Sequence, residues 1–232
     1  MSRIVIITGT RKGLGKEIAE YFLTQGDIVY GCSRRNGLIE HPNYTHFVVN
    51  VADESGVISM VRSIYKNHKR IDILINNAGA ASMNHFLLTP YSTAQKLIET
   101  NFYGTFLMSR EVSKIMMRQK EGRIINYTTV AVPLNLEGEL VYSASKAAVE
   151  QLTRVLAAEI GTSGVTVNAI GPTPISTDLI KNVPTEKIDE LIKKQSIKRL
   201  GEVEDVLNVV KFFIAPESNF ITGQIVYLGG VN

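Results

Sequence analysis

The chain has 232 residues, 44% hydrophobic and 20% charged, a balance that suits one globular domain and leaves no disordered tail or polar low-complexity tract. Its net charge of +3 is spread without an arginine-rich arm or an aromatic ladder, so no nucleic-acid partner is expected. The single cysteine, Cys32, excludes an internal disulfide, and His41, His46, His68 and His85 show no metal-ligand spacing, so no metal is expected.

Residues 1–7 run directly into a short apolar strand, too short for a signal-peptide core or a membrane span. With Cys32 read as a small buried hydrophobe, this points to a cytoplasmic protein with no membrane partner. The strand at 4–7 passes through Thr8-Gly9-Thr10-Arg11-Lys12-Gly13-Leu14-Gly15 into a helix on which Leu14, Ile18, Phe22 and Leu23 recur at helical spacing. Gly26 stops that helix before the strand at 28–32, completing a βαβ unit. Glycines in such a turn let backbone N–H groups approach a phosphate, and the following helix N-terminus favours negative charge.

At the end of the second strand stands Ser33-Arg34-Arg35, where a carboxylate would bond the ribose 2′-hydroxyl of NAD. Guanidinium groups there can pair with a 2′-phosphate, and Lys12 adds a second positive charge, so the cofactor expected is NADP(H).

Further strands follow at 47–51, 71–75, 124–127, 165–170 and 225–228, separated by segments of helical period. The fold expected is α/β, a single Rossmann-type doubly wound domain over 1–232 with a seven-stranded, mostly parallel sheet flanked by helices. The stretch 171–199 breaks the rhythm with Pro172, Pro174 and Pro184 and a helical piece at 186–194; over the carboxyl ends of the strands it reads as a substrate lid.

The spacing Thr-Gly-x-x-x-Gly-x-Gly resembles the short-chain dehydrogenase/reductase family. Four more stretches fall in that family's order: Asn76-Asn77-Ala78-Gly79, Asn101-x-x-Gly104, Tyr142-Ser143-Ala144-Ser145-Lys146 and Pro172-Thr173-Pro174-Ile175-Ser176-Thr177. The whole-chain pattern is similar to 3-oxoacyl-acyl-carrier-protein reductases. The resemblance implies that Tyr142 protonates the carbonyl oxygen, Lys146 holds the nicotinamide ribose and tunes Tyr142, and Asn101 positions a water in the proton relay. It also implies cofactor contacts from Gly9, Arg11, Lys12, Gly13, Leu14, Gly15, Ser33, Arg34, Arg35, Asn50, Val51, Asn77, Ala78, Gly79, Pro172, Ile175 and Thr177.

The family's catalytic serine stands thirteen positions before the tyrosine, and 142 − 13 = 129 gives Thr129, with Thr128 a rival. Alternation along a strand and the spacing favour Thr129, whose hydroxyl can still donate to a developing oxyanion. The charge of a Lys146 ammonium is expected to favour the Tyr142 phenolate. Three other positions depart from the family: Asn50 and Leu228 stand where aspartate is usual, and Thr173 where glycine follows proline.

The activity implied is reduction of a carbonyl to an alcohol, with a small-molecule or thioester-linked substrate. An alcohol dehydrogenase is the alternative enzyme, and a catalytically silent cofactor-binding protein the alternative class; the presence of both Tyr142 and Lys146 argues against the latter. Lys193, Lys194, Lys198 and Arg199 near the lid suit either an acidic carrier or a solvated helix face. The helical segments at 92–118 and 142–160 are long enough to pair copies into a homotetramer or dimer.

Overall fold

A computed structural model of the chain describes residues 2–175 and 185–231. Among them seven parallel strands form one sheet: β1 (Ile4–Thr8), β2 (Ile28–Ser33), β3 (Tyr44–Val48), β4 (Ile73–Asn76), β5 (Gly122–Tyr127), β6 (Val165–Gly171) and β7 (Ile225–Tyr227), in the order β3-β2-β1-β4-β5-β6-β7. The order reverses between β1 and β4, which are paired in parallel, and this switch leaves a crevice outside their carboxyl ends.

Alternation along β1 feeds two cores. Ile4 and Ile6 pack on one face with Met60 and Ile64 of α2 (Glu54–His68), Met108 and Val112 of the helix at Gly104–Gln119, and Ala157 and Ile160 of the helix at Leu140–Ile160. Val5 and Ile7 pack on the other with Ile18 and Phe22 of α1 (Gly13–Thr24), and Val206, Val210 and Phe213 of the helix at Val203–Ile214. Burial on both faces is why the central strands read as unbroken apolar runs. The first unit closes as its punctuation demands, with Gly26 at φ +79° and its amide donating to the Leu23 carbonyl.

Two elements differ from expectation. β3 lies three residues earlier than the apolar run 47–51, because Asn50 turns the chain by accepting from the Ala52 amide (3.2 Å) and Val51 leaves the sheet to pack against Gly104. A Cβ on Gly104 would stand 2.5 Å from Val51 Cγ2, so the glycine is required by this contact. The long helix expected at 92–118 is instead α3 (Tyr91–Ile98), a π-helical turn (Glu99–Tyr103) and α4 (Gly104–Gln119). Such wide turns concentrate at functional positions.

Beyond β5 come the short α5 (Ala131–Leu134), α6 (Leu140–Ile160), α7 (Thr185–Lys194) and α8 (Val203–Ile214). α7 is anchored by Leu191, which packs with Val130 and Val231. Cys32 is fully buried and unpaired, its thiol pushed up to about 12 by burial, which makes it a packing residue. No helix among the described residues is long and apolar enough to cross a membrane.

Candidate functional site

Two clefts meet along the carboxyl edge of the sheet, one of about 920 Å³ and one of about 640 Å³, and share Gly9, Lys12, Ala78 and Gly79. Their shared wall is the turn after β1. Gly9 and Gly13 take φ of +78° and +59°, which a side chain resists, and the Gly9 amide is tied to the Cys32 carbonyl at 2.8 Å. A Cβ on Gly15 would fall 2.6 Å from the Gly9 carbonyl oxygen and collide with Asn77, which itself donates to the Thr8 carbonyl (2.9 Å). The turn is locked to β4 by a second bond, from the Ala78 amide to Thr8 Oγ1 (2.8 Å). No side chain caps α1 and its first turn holds no acid, so the amides around Gly13, Leu14 and Gly15 face the cleft without a local acceptor. This donor set fits a bound diphosphate.

The smaller cleft is lined by Arg11, Ser33, Arg34, Arg35, Asn50 and Val51. Arg34 and Arg35 are exposed, and neither is ion-paired among the described residues. Their turn is held from behind by a relay that the sequence reading missed: Thr10 Oγ1 bonds Tyr44 Oη (2.8 Å), Tyr44 Oη bonds His46 Nδ1 (2.8 Å), and His46 Nε2 reaches Ser33 Oγ (3.0 Å) and the Arg35 carbonyl (3.0 Å). Burial lowers the His46 pKa, keeping the ring neutral and able to accept within this relay. The arrangement offers two guanidinium groups on a braced turn, with no carboxylate lining this cleft. It suits a phosphate on the ribose.

In the larger cleft Thr129 and Tyr142 come together, with Thr129 Oγ1 accepting from the Ala131 amide (3.2 Å). The neighbouring Thr128 points elsewhere, donating to the buried Glu150 carboxylate (2.6 Å), which also accepts from Tyr227 (2.6 Å). Strand alternation thus separates the two threonines as expected. Asn101, fully buried in the π-helical turn, accepts from the Ala80 amide (2.8 Å) and donates to the Ala80 carbonyl and to Ser145 Oγ, both at 2.9 Å. Lys146 is buried one helical turn beyond Tyr142 and donates to the Tyr127 carbonyl (2.8 Å).

In the protein chain alone, burial outweighs any stabilisation of a Tyr142 phenolate by Lys146. Burial pushes the phenol up to about 12, opposed by the adjacent Thr129 side chain and aided by the nearby Glu139 charge. Burial also pulls Lys146 down to about 8, and its ammonium is turned to Tyr127. Tyr142 is therefore held as a protonated acid near neutral pH, the form that can give a proton to a carbonyl oxygen.

Pro172 and Ile175 line the far wall of the same cleft, while Thr177 and Pro184 lie outside the described residues. Lys187, Glu190, Leu191 and Lys194 of α7 face the cleft from above. Two of the four lid cations have local partners: Lys198 donates to the Lys193 (2.6 Å) and Gln195 carbonyls, and Arg199 pairs with Asp205 (2.7 Å). Thr173 is accommodated by exchange of volume. A Cβ on Gly201 would lie 2.8 Å from its Oγ1, and one on Gly229 would lie 2.8 Å from its Cγ2. Leu228 joins the core that α8 covers and bonds the Gly171 carbonyl through its amide (2.9 Å).

The sequence model of a family described as Enoyl-(Acyl carrier protein) reductase matches residues 9–232. The chain belongs to the short-chain dehydrogenase/reductase family. Among relatives of this dehydrogenase/reductase, the 3-oxoacyl-[acyl-carrier-protein] reductase of Synechocystis is 32% identical over 240 residues, covering 99% of this chain and 96% of the relative. The Escherichia coli 3-oxoacyl-[acyl-carrier-protein] reductase FabG is 29% identical over 234 residues, covering 98% and 96%. The solved structure of ElxO with NADP bound superposes with a TM-score of 0.91 at 29% identity, covering 99% of this chain and 98% of that one. The ligand-free aldohexose dehydrogenase of Thermoplasma acidophilum gives 0.89 at 27% identity, covering 99% and 94%.

Ser145, Thr8 and the Tyr127 carbonyl also escaped the sequence reading of this dehydrogenase/reductase, although the first two stand inside its quoted motifs. Glu139 had a weak signal, its place three residues before Tyr142 at a helix start.

Proposed function

We propose that this chain is an NADP(H)-dependent carbonyl reductase acting on a 3-oxoacyl thioester or a related ketone. The observation that carries the reading is Thr129, Tyr142 and Lys146 lining one cleft that continues past the uncapped start of α1 to Arg34 and Arg35. NADPH, when bound, supplies the hydride taken up by the carbonyl carbon. Gly9, Gly13, Leu14 and Gly15 would hold its diphosphate, with Arg11, Lys12, Ser33, Arg34 and Arg35 around the 2′-phosphate. Asn50 and Val51 would border the adenine, and Asn77, Ala78, Gly79, Lys146, Pro172, Ile175 and Thr177 the nicotinamide half.

Thr129 and Tyr142 donate to the carbonyl oxygen, and the Tyr142 proton moves to that oxygen as the alcohol forms. Lys146 and Asn101 orient the groups through which Tyr142 recovers its proton. The reductase activity for which the Synechocystis and Escherichia coli relatives are named, and the NADP in the ElxO structure, support substrate class and cofactor. α7, whose Lys187, Glu190, Leu191 and Lys194 line the cleft, serves as the lid. We read the protein as a cytoplasmic homo-oligomer without nucleic-acid or membrane partners, pairing through α4 and α6, where Phe106, Met117 and Val155 are exposed.

A second reading, an alcohol dehydrogenase, draws on the aldohexose dehydrogenase likeness. Titration with NADPH and NADH by fluorescence, followed by 3-oxoacyl thioesters and simple ketones, separates the two. Tight NADPH binding with carbonyl-dependent oxidation is expected, and it should vanish in Tyr142→Phe while NADPH binding remains. Preference for NADH, or oxidation unchanged in Tyr142→Phe, would refute the proposal.

A further inference from the structure

The larger cleft contains a carboxylate that the reaction above does not use. Glu139 immediately precedes α6, and residues 135–139 are pinned by the Asn84 amide bonding the Gly138 carbonyl (2.8 Å) and by the Glu139 amide bonding the Leu136 carbonyl (3.3 Å). Its side chain lines the cleft with Thr129 and Tyr142 and is partly buried. It is not consumed as a cap for α6, and no described residue gives it a hydrogen bond or an ion pair. Of the cations lining this cleft, Lys146 bonds the Tyr127 carbonyl and Lys187 pairs with Glu190 (2.9 Å). Burial pushes the Glu139 carboxyl up to about 6, and its charge reaches Tyr142.

A desolvated carboxylate without a donor is costly, and in a cleft that a substrate fills, the missing donor can come from the substrate. We propose that Glu139 is a specificity-determining residue: it selects carbonyl substrates with a hydroxyl or amino group next to the reacting carbon and disfavours those with a carboxylate there. Resting on the reductase reading, this takes its related-ketone branch, since a 3-oxoacyl thioester has only methylene carbons beside the reacting carbonyl, and narrows that branch to ketones that donate a hydrogen bond there.

The test compares NADPH-dependent reduction of three methyl ketones that differ in one substituent: hydroxyacetone, 2-butanone and pyruvate. The wild-type kcat/KM should favour hydroxyacetone over 2-butanone by about ten- to a hundredfold, as a hydrogen bond to a charged group implies, with pyruvate poorest. Glu139→Leu should bring the hydroxyacetone to 2-butanone ratio near one. Glu139→Gln, which keeps an acceptor and loses the charge, should retain part of that ratio while raising pyruvate reduction. NADPH affinity in both variants reports that the fold is intact. A merely structural role at the helix start would lower all three rates together and leave the ratios in place, which would overturn the inference but not the reductase reading. If the wild-type enzyme oxidised NADPH with none of these ketones and no 3-oxoacyl thioester, both would fall.

Discussion

Replacing Lys146 with methionine should abolish turnover and yet remove a pH-dependent burden on the fold. Burial holds the Lys146 ammonium at about 8 against an ordinary 10.5. The unfolded chain therefore binds more protons than the folded one between those values, and stability must rise with pH across that window. Below about pH 8 the burden is fully present; a shift of this size corresponds to about 3 kcal/mol at roughly 1.4 kcal/mol per pKa unit. The methionine variant lacks this term, so its stability relative to wild type should fall by about 2–3 kcal/mol between pH 7 and pH 10. Loss of the 2.8 Å bond to the Tyr127 carbonyl offsets the gain by about 1–3 kcal/mol, an offset that is roughly constant with pH. Urea unfolding of both proteins at the two pH values, at one protomer concentration, measures the difference. Tyr142 titrates in both proteins and so largely cancels. A stability difference that stays the same from pH 7 to pH 10 would refute the assignment of Lys146 as a destabilised buried ammonium.

Two further outcomes follow from the same geometry. Gly15→Ala should weaken NADPH binding by about tenfold or more and cost about 1–3 kcal/mol, since its Cβ meets the Gly9 carbonyl oxygen at 2.6 Å; fluorescence titration and urea unfolding report the two effects. Thr129→Val should lower kcat by about a hundredfold or more, whereas Thr128→Val should spare kcat and cost about 1–3 kcal/mol because Glu150 loses its donor. Equal kcat losses in the two variants would contradict the opposed orientation of these side chains.

The sheet was legible because its strands are buried on both faces and so appear as apolar runs, and because Gly13 and Gly26 punctuate the first unit. β3 slipped in the reading because Val49 and Val51 look like strand residues, while the Asn50 turn that redirects them leaves no mark in periodicity. The π-helical turn was missed because one extra residue changes the hydrogen bonding and shifts the phase of the hydrophobic pattern only once, leaving helical spacing intact on either side. Within the site, motifs brought out Asn101, Tyr142 and Lys146 because they recur at fixed spacing. The His46 relay and Glu139 depend on contacts between distant segments, and charge alone could not separate Lys198 and Arg199, which bond locally, from cations that meet a ligand.

The exchange of volume around Thr173 constrains the order in which substitutions can accumulate. A side chain gained at Gly201 while the threonine remains meets its Oγ1 at 2.8 Å, whereas the same change after Thr173 has become glycine finds its next neighbour at 3.4 Å; at Gly229, Gln195 and a φ of +73° bar a side chain whatever stands at 173. Loss of the threonine first opens a void, a milder penalty than collision. Thr173 and Gly201 thus form an epistatic pair in which one mutational route is passable and its reverse is blocked, so drift at the root of the lid has a direction.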